Sequence, residues 1–158
     1  MVSRFRPGDL PRERSSTSNR HSVFKTVHMK IFAWNVRGLG NSSRQNKVRS
    51  FLNNLGCSVG VFVETRVREE NSASLMSRLL QGWSFDSNYS EIDGGRIWIV
   101  WDQSLSVVVF KKSEQMMVCG VFDPDSQVSL TVGFVYAHNT EGQRSRLWEE
   151  VVGISNHH

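Results

Sequence analysis

Two apolar runs, each closed by a polar residue and separated by one helix's worth of chain, constrain this sequence most. Ile31-Phe32-Ala33-Trp34 ends in Asn35, and Val59-Gly60-Val61-Phe62-Val63 ends in Glu64. Short apolar runs bounded by turn residues read as buried strands. The segment between them predicts a helix to about residue 55, with Val48, Phe51, Leu52 and Leu55 at i, i+3, i+4, i+7. In a strand–helix–strand unit of one sheet the strands run parallel, so Asn35 and Glu64 emerge on the same edge. Ligands in open α/β sheets bind at that edge. A neutral oxygen and a carboxylate brought together there suit a hard cation such as Mg²⁺.

The rest of the chain reads as follows. Gly38 and Gly40 make the turn after the first strand (29–35), and Ser42 with Gln45 resembles a capping box. Gly56 ends the helix, and the second strand covers 59–64. A short helix is expected at 72–80, broken by Gly82, with a strand starting at Trp83–Phe85. A β meander follows. Gly94-Gly95 turns, Ile97, Ile99 and Trp101 alternate with Arg96, Trp98 and Val100, and strands are expected at Val107–Phe110, Met116–Phe122 and Val128–Tyr136. Asp123-Pro124-Asp125 marks the last hairpin. A final helix opens near Glu141 with Leu147, Trp148, Val151 and Val152 on one stripe. This order looks like half of a layered α/β sandwich.

At 158 residues the chain is one domain's worth. The pI near 9.4 suggests an acidic partner, but the charge is concentrated in one place. Residues 1–30 carry seven Lys/Arg against Asp9 and Glu13, a net of +5, whereas residues 31–158 carry a net of −1. Residues 1–28, rich in Arg, Ser and Pro without a hydrophobic period, read as a disordered basic tail. Residues 29–158 read as the domain, which Met29 would naturally start. The folded part therefore carries no bulk basic footprint for nucleic acid. No apolar run approaches the roughly 18–20 residues of a membrane span. Cys57 and Cys119 stand far apart in no motif, which favours a reducing compartment, nuclear or cytoplasmic and not secretory.

Each candidate residue has a plainer reading. Asn35 could simply start the Gly-rich turn. Glu64, straight after a buried run, needs a partner or an ion, and Arg66 or Arg37 could supply a structural salt bridge. Tyr136 shares a strand face with Val132 and Phe134 and could be a core tyrosine. With Asn139 it could instead face a phosphate at the sheet edge. His138 reads as an exposed loop residue rather than a general base. The terminal Ser155-Asn156-His157-His158 reads as a fraying end. Arg37, Arg44, Lys47 and Arg49 could grip phosphates or form a solvated helix face.

Taken together, the motifs Lys30–Gly40, Phe62-Val63-Glu64-Thr65-Arg66, Gly94–Asp102, and Val135-Tyr136-Ala137-His138-Asn139 with Arg146-Leu147-Trp148 resemble the endonuclease/exonuclease/phosphatase (DNase I-like) superfamily. More closely, they look like the endonuclease domain of plant LINE-type non-LTR retrotransposons. Arg37, where abasic-site endonucleases have an acidic residue, favours that branch.

The resemblance implies an incomplete DNase I-like four-layer α/β sandwich, about its N-terminal half. It implies metal-assisted hydrolysis of DNA phosphodiester bonds, with Mg²⁺, or Mn²⁺ in its place, as cofactor. Glu64 would be the direct metal ligand, Asn35 would orient the metal site, Tyr136 would contact the scissile phosphate, and Asn139 would shape the phosphate site. DNA would be the substrate, gripped by Arg37, Arg44 and Lys47. A retrotransposon polyprotein carrying reverse transcriptase would be the wider partner. Two motifs that the family carries later, a Gly-Asp-Phe-Asn strand and an Asp-His pair, occur nowhere in the sequence. The domain is therefore expected to be truncated, to be inactive alone, and to leave its inner sheet face uncovered. The competing functions are a non-catalytic remnant that binds nucleic acid through its tail, and a phosphatase of the same fold.

Overall fold

The computed structural model describes residues 29–155. The expectations for residues 1–28 and for Asn156-His157-His158 lie outside the described residues.

Chain order is β1 (Ile31–Asn35), α1 (Ser42–Leu55), β2 (Val59–Val63), α2 (Glu69–Leu79), β3 (Trp83–Ser87), β4 (Ile97–Asp102), β5 (Ser106–Lys112), β6 (Met116–Asp123), β7 (Val128–Val135) and α3 (Glu141–Ser155). The strands form two sheets, ordered β1-β2-β4-β3 and β5-β6-β7. β1 and β2 pair in parallel, with Asn35 opposite Val63, as the strand–helix–strand reading requires. β4 lies antiparallel to β2, and β3 antiparallel to β4.

The expected continuous meander is broken after β4, because the chain crosses there to the second sheet. The physical reason is burial on both faces. Trp98 and Val100 pack with the helices, while Ile97 and Ile99 pack against the second sheet. β5 instead alternates, with Val107 and Val109 inward and Val108 and Phe110 exposed.

Three apolar layers hold the sandwich together. On one face of the first sheet, Phe32, Phe62, Trp98 and Val100 meet Val48 and Leu52 of α1 and Leu75, Met76 and Leu79 of α2. Between the sheets, Val59, Val61, Val63, Ile97 and Ile99 face Met117, Cys119, Val121 and Phe134. Leu147 of α3 covers Met116 and Val118 on the outer face of the second sheet. The inner sheet face is thus covered, contrary to expectation, because β5–β7 alone are wide enough to roof β2 and β4. The exposed apolar surface lies elsewhere. Val108 and Phe110 are exposed, and on α3 Trp148 is 63% exposed, with Val151 and Val152 also open. Only Leu147 of the expected α3 stripe is buried.

Local chemistry sets the element ends. Asn41, one residue earlier than the expected Ser42, caps α1 by accepting the Arg44 N–H at 2.8 Å. Gly56 ends α1 in a left-handed conformation, φ 60°. α2 begins at Glu69, earlier than the expected residue 72. Arg49 binds α1 to α2, donating to the carbonyls of Leu79 at 3.1 Å and Arg78 at 3.0 Å. Gly60 lies under the Phe32 ring and carbonyl, where any Cβ would collide with backbone. No helix among the described residues is long and apolar enough to cross a membrane.

The two cysteines differ sharply. Cys119 is fully buried between the sheets, and burial pushes its thiol up to about 11. Cys57 is half-buried. A native-state thiol titration at pH 8 should therefore show one reacting thiol, at Cys57. Cys119 should react only as the chain unfolds, since the thiolate is the nucleophile. Equal rates for both would contradict this packing.

Candidate active site

Parallel pairing brings Asn35 and Glu64 side by side. The loop after β1 continues the pairing beyond the strands: the Val36 N–H donates to the Val63 carbonyl at 3.1 Å, Gly38 to Glu64 at 2.7 Å and Leu39 to Thr65 at 2.8 Å. The Glu64 N–H donates to the Arg96 carbonyl at 3.1 Å, tying the site to the start of β4. Three non-glycine residues here adopt the left-handed region: Arg37 (φ 48°), Glu64 (φ 55°) and Arg66 (φ 53°). Each such residue costs roughly 1–3 kcal/mol and persists only where its surroundings fix it.

That carboxylate is held from three sides. Its Oε1 accepts from the Asn35 amide at 2.9 Å and from the Tyr136 hydroxyl at 2.5 Å. Its Oε2 faces the Arg66 guanidinium at 3.5 Å, a loose pair in which Arg66 is 69% exposed and Glu64 27%. The Tyr136 and Asn35 hydrogen bonds, reinforced by Arg66 and Arg37, hold the carboxyl below its usual range, so Glu64 is ionised at neutral pH. The same bond pushes the Tyr136 phenol up, and it remains a neutral donor. Asn35 is fixed in turn, its oxygen accepting the Arg37 N–H at 3.1 Å.

Tyr136 follows β7 of the second sheet, so two residues, 29 and 72 positions from Glu64, converge on one of its oxygens. Glu64 and Tyr136 border a cleft of about 380 Å³ lined also by Arg66, Asp93, Gly95 and Arg96, whereas Asn35 faces a separate hollow. The donor set fits Mg²⁺ or Mn²⁺. A single ionised carboxylate whose Oε2 carries only the loose Arg66 pair is the kind of ligand Mg²⁺ takes, since it keeps several waters and completes its shell with substrate phosphate. No group of three or more His, Cys, Asp or Glu side chains placed to hold a metal ion occurs among the described residues, so Glu64 would be the one carboxylate ligand.

The other sequence candidates are placed less centrally. Asn139 is exposed, does not line the cleft, and accepts from Arg144 through its carbonyl at 3.3 Å. Arg37 stands beside Glu64. Arg44 is committed to the loop, donating to the carbonyls of Val36 and Arg37 at 2.5 and 2.7 Å. With Lys47 it lines a separate hollow of about 210 Å³ next to Asn35. His138 is not the solvent-exposed residue expected. It is 11% exposed, between Glu114 and Arg96.

Sequence reasoning missed the residues that hold this edge in place. Buried Gln115 accepts the His138 N–H at 2.7 Å, donates to the Gln143 carbonyl at 2.8 Å, and accepts the Tyr136 N–H through its own carbonyl at 2.8 Å. It thereby clamps the segment after β7 against α3. Asn88 does the same between the sheets. Its oxygen accepts the N–H groups of Arg96 and Ile97 at 2.9 Å, and its amide donates to the carbonyls of Ser113 and Glu114 at 3.1 and 3.3 Å.

No protein-family model matches the sequence, and no curated protein matches it with significance. Solved structures do match. The endonuclease domain of TRAS1, a telomere-specific non-LTR retrotransposon, superposes with a TM-score of 0.59 at 11% identity over 82% of this chain. The human Nocturnin catalytic domain, solved with a bound sulfate anion, superposes with a TM-score of 0.54 at 11% identity over 81% of this chain. The chain spans 53% and 60% of the lengths of these two domains. At that identity the likeness establishes the fold alone: this chain has the DNase I-like α/β-sandwich fold that these two domains share.

Proposed function

We propose that this chain is the N-terminal part of a metal-dependent endonuclease domain that hydrolyses DNA phosphodiester bonds. In this reading it serves target nicking in a LINE-type retrotransposon of the plant branch, with reverse transcriptase in the same polyprotein. The observation that carries the reading is the convergence of Asn35, Glu64 and Tyr136, from both sheets, on one ionised carboxylate at the ligand-binding edge. The similarity to a retrotransposon endonuclease domain supports it.

Glu64, with Asn35 beside it, would hold Mg²⁺ or Mn²⁺, which supplies charge neutralisation at the phosphate when bound. Asn35 and Tyr136 keep the carboxylate ionised and fixed in direction. The one proton of the Tyr136 hydroxyl is committed to Glu64, and Arg37, beside that carboxylate, would add positive charge near an entering phosphate. His138 does not line the cleft and is engaged on both ring nitrogens, so the carboxylate left on the cleft wall besides Glu64 is Asp93. In this reading binding and orientation reside in this chain, and turnover would draw on groups from the remainder of the fold, since such groups act as a unit.

Calorimetric titration of the chain with Mn²⁺ tests the reading. One site is expected, lost in Glu64→Gln. Tyr136→Phe should weaken it by about 10–100-fold, the usual cost of removing a group that orients a metal ligand. Plasmid nicking by the chain alone should stay at background. Unchanged Mn²⁺ binding in Glu64→Gln would overturn the proposal.

A further inference from the structure

Arg96 lies in the cleft wall with both ends fixed. Its N–H is held by Asn88, and its carbonyl receives the Glu64 N–H at 3.1 Å. Its guanidinium Nη1 lies 3.3 Å from His138 Nδ1. No carboxylate among the described residues pairs with it at salt-bridge distance. A guanidinium can only donate, so His138 Nδ1 must carry its lone pair, and the ring proton must sit on Nε2. Nε2 in turn faces Glu114 Oε2 at 3.4 Å, an acceptor that favours that same tautomer. The His138 backbone N–H is pinned by Gln115.

From this geometry we infer that Arg96 is a phosphate-contacting residue of the cleft, positioned by a relay that runs Glu114–His138–Arg96. The inference rests on the phosphodiester reading above and names a contact that reading does not include. Its logic lies in the choice of acceptor. A carboxylate in the place of His138 would orient the guanidinium but also neutralise it. A neutral imidazole orients it and leaves its full positive charge. Only one of its nitrogens is engaged, so the fork still offers donors in the paired geometry that suits phosphate oxygens. The ligand class is a phosphodiester oxyanion beside Glu64 and Tyr136. Arg96 is the contact, and His138 and Glu114 are positioning residues.

The test uses the full chain, with thymidylyl-(3′,5′)-thymidine, which carries one phosphodiester, as the probe in metal-free buffer. Titration is followed by ¹⁵N NMR at the amides of Gly94, Gly95 and Arg96, which separates cleft binding from binding to the basic tail. Long-range ¹⁵N spectra read the His138 ring directly. The expected results are the Nε2–H tautomer of the His138 ring, with cleft amides shifting on titration. Arg96→Gln should weaken binding by about tenfold or more, as loss of a charge-assisted contact does. His138→Leu should weaken it less, and His138→Gln, which keeps an acceptor, should restore it. An Arg96→Gln variant that binds like the parent overturns the inference. So does a His138 ring protonated at Nδ1, or a cleft that ignores the dinucleotide. Mn²⁺ binding at Glu64 is read separately, so such a failure leaves the metal-site reading to stand or fall by its own titration.

Discussion

Asn88→Ala is expected to lower the free energy of unfolding by about 3–5 kcal/mol. The side chain is fully buried and all its hydrogen-bonding capacity is used. Its removal strands two N–H groups and two carbonyls in a site closed to solvent. Each unpaired buried group costs about 1–3 kcal/mol, and the penalty is only partly relieved by admitted water. The four groups belong to the start of β4 and to the β5–β6 turn, so this one residue joins the two sheets at the end where the cleft opens. Urea denaturation measures the loss, with the slope unchanged and the midpoint shifted. A loss under about 1 kcal/mol would mean that water replaces the amide at little cost, and that the sheets are held by apolar packing alone.

Trp98→Ala should cost a similar amount, about 3–5 kcal/mol. Trp98 is fully buried on the helix-facing side of β4. Its ring packs against Phe85 at 5.1 Å and Tyr89 at 6.4 Å between centroids. Its Nε1 donates to the Tyr89 hydroxyl at 3.2 Å, and that hydroxyl donates to the Val67 carbonyl at 2.7 Å. Truncation leaves a large cavity and loosens Tyr89, the anchor of the segment between β2 and α2. Surrounding side chains come from β1, β2 and both helices, so no single element can collapse into the space. Thermal unfolding followed by circular dichroism reads the effect. A Tm within a few degrees of the parent would contradict the packing described.

The elements nearest the site were the most legible in the sequence. The β1–α1–β2 unit announces itself by two apolar runs around a 3.6-period segment, and its topology alone brings Asn35 to Glu64. Tyr136 could be placed on the inward face of β7 by its spacing from Val132 and Phe134. Its bond to Glu64 could not, because it depends on one sheet lying over the other.

The sheet assignment was hidden for a related reason. Alternation and turn residues mark a strand without saying which sheet it joins. The unbroken apolar run Ile97-Trp98-Ile99-Val100 was the available sign that β4 is covered on both faces. Asn88, Gln115 and Glu114 were invisible because isolated polar residues in turns carry no period, and their partners are backbone groups far along the chain. His138 was misplaced for the same reason. Its position after a strand reads as open loop, whereas Gln115 folds that loop back against α3. At α1 both Asn41 and Ser42 are good capping residues, and only the backbone geometry selects Asn41.

The central claim is that the site where the ends of β1 and β2 meet the residue after β7 would hold a divalent cation through Glu64. Paramagnetic broadening of the backbone amides by substoichiometric Mn²⁺ tests it most directly. The account predicts that the signals of residues 35–38, 64–66, 95–96 and 136 broaden first, and that Glu64→Gln abolishes this while leaving the fold intact. Broadening that begins at Asp123 and Asp125 or at Glu69 and Glu70, and persists in Glu64→Gln, would contradict it.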